Sequence, residues 1–104
     1  MAKFMFVYQG GGAMADSPAE QEKIMAAWGA WYGTLGSAIA DGGAPFAGST
    51  SVSPKGRSVA ASGLTGFSMV NADSLDDAAA MTAGCPVLAN GGTVDVYECI
   101  DMGM

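Results

Sequence analysis

Two helix starts of the same kind divide this sequence into comparable halves. Ser17-Pro18-Ala19-Glu20 supplies a side-chain cap, a proline suited to the first helical position, and an acid three residues after the cap. Asn71-Ala72-Asp73-Ser74 is a second cap, with Asp77 three residues after Ser74. An apolar strand pattern precedes each start, and strand patterns resume after each helix.

Lys3 to Tyr8 is the first strand, with Phe4, Phe6 and Tyr8 on one face and Met5 and Val7 on the other. Both faces are apolar, so both should be covered. Ile24, Trp28, Trp31, Leu35 and Ile39 recur at steps of four and three, which makes one apolar stripe on the first helix. Asp41-Gly42-Gly43 is expected to end that helix. Gly29, Gly33 and Gly36 interrupt it at about 1 kcal/mol each relative to alanine, and tight packing on the sheet is the expected reason for them. Ala44 to Ser53 is a weaker strand, Ser53 to Arg57 a turn, Val59 to Ser62 a continuation of that hairpin, and Phe67 to Val70 a further strand. Leu75, Ala78, Ala79 and Ala83 are expected to form the buried side of the second helix, which Gly84 and Pro86 stop; Val87 to Gly92 is a loop, and Thr93 to Met102 the last strand. The order is strand, helix, strand, strand, helix, strand. Residues 1–104 therefore form a single α+β domain of ferredoxin-like βαββαβ type, with two helices on one face of a four-stranded antiparallel sheet. The other face, carrying Met5, Val7 and Phe67 or Met69, is left bare, and an exposed apolar face predicts a symmetric homodimer.

Charge narrows the partners. Ten acidic residues against four basic ones give a net charge of -6. That argues against nucleic acid, whose binding rests on lysine and arginine neutralising phosphates, and against an anionic membrane surface. No apolar run approaches the roughly 20 residues that span a bilayer, and Phe4 to Tyr8 is too short for a signal-peptide core, so a cytoplasmic location is expected. Cys85 and Cys99 lack metal-site spacing and are expected to be buried thiols, with a disulfide between them as the alternative, and no metal and no cofactor implied.

The stretch Gly66-Phe67-Ser68-Met69-Val70-Asn71-Ala72-Asp73-Ser74-Leu75-Asp76-Asp77-Ala78 resembles the YCII-related domain family. So do Ala83-Gly84-Cys85-Pro86, Gly91-Gly92-Thr93-Val94-Asp95-Val96, the opening Lys3 to Tyr8, and Asp41-Gly42-Gly43. The resemblance implies a dimeric α/β barrel with a cleft in each protomer. Some members of that family place a histidine and an aspartate in the cleft, and a few catalyse chemistry such as dehydrochlorination of an aromatic. This sequence has no histidine, and where a related branch carries Asp-Gly-Pro-Phe it has Ser62-Gly63-Leu64-Thr65-Gly66-Phe67.

Four residues stand out as candidates for a site. Asp41, expected at a helix C-terminus where a carboxylate opposes the helix dipole, is a candidate acid or base; an ordinary turn residue before two glycines is the competing reading. Tyr8, Trp28 and Tyr32 are candidates for lining a ligand cleft, with core packing the alternative for Trp28 and Trp31 and a surface strand end for Tyr8. Gly10-Gly11-Gly12 and Gly42-Gly43 lack the lysine of a phosphate loop. Ser62 and Ser68 have no histidine base, which excludes a serine triad. Cys85, placed just after a helix end, is a poor nucleophile. Asp73, Asp76 and Asp77 are explained by capping. Two functions follow as expectations: small-molecule binding in an aromatic-lined cleft of a homodimer, with or without catalysis, or a non-catalytic module for dimerisation or protein interaction.

Overall fold

A computed structural model describes residues 2–10, 17–58 and 63–100 of the chain. The glycine loop at 11–12, the hairpin continuation at 59–62 and the strand end at 101–102 lie outside the described residues. In chain order the elements are β1 (Ala2–Gln9), α1 (Pro18–Leu35), β2 (Ile39–Pro45), β3 (Ser51–Ser53), β4 (Gly56–Ser58), β5 (Leu64–Ala72), α2 (Leu75–Ala80), α3 (Pro86–Ala89) and β6 (Thr93–Glu98). A short 3₁₀ turn, Gly36–Ala38, joins α1 to β2.

Four strands make one sheet in the order β2-β5-β1-β6, and every neighbouring pair is antiparallel. β1 sits inside the sheet because its residues are apolar on both faces. Phe4 lies opposite Val70, Phe6 opposite Ser68 and Val96, and Tyr8 opposite Gly66 and Val94. Phe4, Phe6, Tyr8 and Val70 are buried together with Trp31 of α1, Ala78 of α2 and Val87 of α3, so the helices share that face. Met5 faces Met69 and Tyr97 across the opposite side, and Val7 faces Phe67 and Asp95. No helix of the described residues packs on this second face, where Tyr97 is 57% exposed and Met5, Phe67 and Met69 are half-buried; Val7, expected to be bare, is instead buried between its strand neighbours.

Both expected caps form. Ser17 Oγ accepts from the Glu20 N–H at 3.2 Å, and Ser74 Oγ accepts from the Asp77 N–H at 3.1 Å. The first helix ends earlier than its apolar stripe suggests. Gly36 takes a left-handed φ of 55° and donates its N–H to the Tyr32 carbonyl, which closes α1 at Leu35. Ile39 thus begins β2, opposite Val70, and Asp41 lies within a strand rather than at a helix end.

Tight packing does not account for the helical glycines: a Cβ placed on Gly29 or Gly33 meets nothing within 4 Å. The second helix is shorter than expected and buries Ala78, while Leu75, Ala79 and Ala83 are exposed. Within the expected loop Val87 to Gly92, one helical turn forms, because Pro86 at its first position is preset for helix. The hairpin is tighter than expected. β3 and β4 form a separate two-stranded sheet around Pro54-Lys55, and every residue from Ala40 to Ser58 is exposed. No helix of the described residues is long and apolar enough to cross a membrane.

Candidate functional site

Along α1, Ile24, Trp28 and Tyr32 recur every four residues, which places them on one side of the helix. That side does not press flat on the sheet. A cleft of about 600 Å³ opens between it and the strands, with Tyr8 of β1 also lining it. The backbone of β2 from Gly42 to Pro45 lines it as well, and Val87 of α3 and Asn90 contribute from beyond. The volume lies within the range of small-molecule sites, roughly 300–1,000 Å³.

The aromatic side chains hold one another. Tyr8 meets Trp28 edge-on at 5.2 Å between ring centres, and Trp28 meets Trp31 edge-on at 5.7 Å. Tyr32 lies 5.8 Å from Trp28 and 5.4 Å from Trp31. Edge-to-face pairs of this kind contribute about 0.5–1.5 kcal/mol beyond area burial. Trp31 is the buried member and donates its Nε1–H to the Met81 carbonyl at 3.0 Å, so it belongs to the core. Trp28 and Tyr32 are half-buried and line the cleft.

A hydroxyl network closes the inner end. Tyr8 donates to Ser68 Oγ at 2.8 Å, and Ser68 donates to the Gly42 carbonyl at 2.8 Å. The Tyr32 hydroxyl lies 3.1 Å from the same carbonyl and 3.0 Å from Ser68 Oγ. Ser68 is 1% exposed, so its bonds are made away from water. Burial pushes the Tyr8 phenol well above its ordinary value, and the bond to Ser68 offsets only part of that rise. Tyr8 is therefore a neutral hydrogen-bonding group at physiological pH rather than a base.

Gly42 reaches Ser68 because β2 is irregular there. Its register against β5 shifts between Ile39 and Asp41 and again between Asp41 and Ala44. Asp41 Oδ1 accepts the Gly43 N–H at 2.8 Å and holds this bend. Gly43 has φ 74°, and a Cβ there would lie 1.8 Å from the Phe67 carbonyl oxygen. Only glycine allows so close an approach of two backbones.

Of the residues singled out from the sequence, Tyr8, Trp28 and Tyr32 come together around the cleft. Asp41 is exposed and outside its lining; its carboxylate is bonded to the β2 backbone. Ser68, which has no histidine base to form a serine triad, is the centre of the hydroxyl network. Met25 and Asn90 also line the cleft, and no sequence motif marks them. Cys85 is buried and Cys99 half-buried, and both are free thiols. Burial raises the Cys85 thiol, against the opposing backbone bonds of Val87 and Leu88. Its position is the start of α3 rather than merely the end of the preceding helix, but burial decides the direction. Among the described residues no group of three or more Cys, Asp or Glu side chains is placed to hold a metal.

Fold and cleft together define a small α+β protein with one aromatic-walled site between a helix and its sheet. Compared with known proteins, the chain matches no protein-family model and no curated protein.

Proposed function

We propose that this protein binds a small molecule in the cleft beneath α1, within a homodimer of ferredoxin-like, YCII-related protomers. The observation that carries the reading is the convergence of Tyr8, Trp28 and Tyr32 on a 600 Å³ opening whose inner polar atoms are already hydrogen-bonded. A largely apolar wall with a few fixed polar groups is the usual composition of a ligand site. The strand order β2-β5-β1-β6 supports the ferredoxin-like part, since it places each helix-linked pair of strands two positions apart. If the site also catalyses a reaction, its hydroxyls act as neutral donors and acceptors and Asp41 acts at a distance through the β2 bend.

The face without helices supports the dimer part of this reading. Met5, Phe67 and Met69 are half-buried there, in register with the buried Val7, and Phe46 stacks on Phe67 at 6.0 Å. An apolar face of this kind favours association with a second copy. Sedimentation equilibrium at micromolar concentration should give twice the chain mass; a monomer would remove the dimer from the proposal. A thermal-shift screen against neutral aromatics should raise the melting temperature, because a ligand of the folded state stabilises it.

The same face favours a second reading, a module whose role is association alone. That reading gains if the protein is dimeric and no small molecule shifts its melting at millimolar concentration.

A further inference from the structure

We infer that the cleft selects a neutral, hydroxylated aromatic molecule; this rests on the ligand-binding reading above. Three observations lead there. First, none of the four basic residues of the chain lines the cleft, and among the described residues no acidic one does either. The whole protein carries a net charge of -6. A carboxylate or phosphate entering an apolar wall would lose its water and gain no cation.

Second, the hydroxyl protons at the wall are already committed. Tyr8 donates to Ser68, and Ser68 to Gly42. Tyr32 is held between the Gly42 carbonyl and Ser68 Oγ. The Thr65 hydroxyl is shared between the Tyr8 and Gly10 carbonyls at 3.2 and 3.3 Å. What Tyr32 and Thr65 keep for a visitor is oxygen lone pairs, which call for a donor. Asn90, which also lines the cleft, carries a side-chain amide with both a donor and an acceptor. A hydroxyl group on the ligand is the simplest neutral substituent that both donates and accepts.

Third, the helix wall has a gap in it. Gly29 lines the cleft one turn from Met25, and a Cβ there meets nothing within 4 Å. The helix loses stability by carrying glycine at this point, and the gain is bare backbone beside Trp28. A flat ring stacked against the indole fits such a wall.

The test uses three probes of one shape: naphthol, its methyl ether and naphthoate, each titrated calorimetrically at neutral pH. Naphthol should bind most tightly, with the ether and naphthoate weaker by about tenfold or more. The Gly29→Leu variant, whose side chain fills the gap while improving helix propensity, should lose naphthol binding without melting earlier than the parent. If naphthoate or the ether binds as well as naphthol and Gly29→Leu abolishes it, the cleft is a ligand site and the selectivity inferred here is wrong. If no probe binds, or binding survives in Gly29→Leu, the cleft reading itself falls, and the selectivity with it.

Discussion

Ser68 on β5 donates its hydroxyl proton to the Gly42 carbonyl on β2 across 2.8 Å. This bond ties an edge strand to the interior of the sheet at the inner end of the cleft. The same oxygen receives the Tyr8 phenol, so one small side chain satisfies groups from β1, β2 and α1. Replacing it by Ala leaves Tyr8 without its acceptor in a buried place. Ser68→Ala should cost about 1–3 kcal/mol of unfolding free energy, the penalty for a buried polar group left unmade. Urea denaturation with a fitted slope reads it, and an unchanged midpoint would mean that the tyrosines find other partners.

Gly43 and Gly42 should respond differently to the same substitution. Gly43 has a left-handed φ and an intolerable contact with Phe67 oxygen, whereas a Cβ on Gly42 meets nothing within 4 Å. Gly43→Ala should therefore destabilise by more than about 2 kcal/mol, with Gly42→Ala well below that. Equal melting temperatures for the two variants would contradict the close approach of β2 to β5.

Alkaline stability follows from Tyr8. Its folded-state pKa is raised, chiefly by burial. The folded form keeps its proton where the unfolded chain, with a pKa of about 10, begins to lose it. The contribution is complete below about pH 10 and declines as pH rises beyond that. Melting temperature measured from pH 8 to 11 should show this decline, and Tyr8→Phe should flatten it.

Thiol reactivity separates the two cysteines. Cys85 is buried and its thiol is raised, while Cys99 is half-buried near the end of the described chain. In the native state Cys85 should alkylate about tenfold more slowly than Cys99, since the thiolate is the reacting form. Comparable rates would show that the segment bearing Cys85 opens readily.

The parts of the fold legible in the sequence are those decided by near neighbours. Ser17 and Ser74 cap the amide three residues on, and the strand alternation of Phe4, Phe6 and Tyr8 follows from backbone geometry alone. Where α1 ends was less legible, because the apolar stripe runs on to Ile39 and Asp41-Gly42-Gly43 offers a stop, whereas the chain turns at Gly36, one of three glycines that from sequence only interrupt the helix. The exposure of Leu75 and Ala79 could not be read from an apolar pattern, since α2 is a single short helix that buries one residue. Tyr8, Trp28 and Tyr32 were visible as aromatics in a small core. Ser68 was not, because its partners Tyr32 and Tyr8 lie 36 and 60 residues away in the chain.

The β3–β4 hairpin stands apart from the main sheet and shares none of its strand pairings. Its Pro54-Lys55 tip is thus a tolerant point for splicing in foreign peptide, such as an epitope or a fluorophore tag. Cargo carried there would ride on two exposed ribbons while the cleft and its walls keep their geometry.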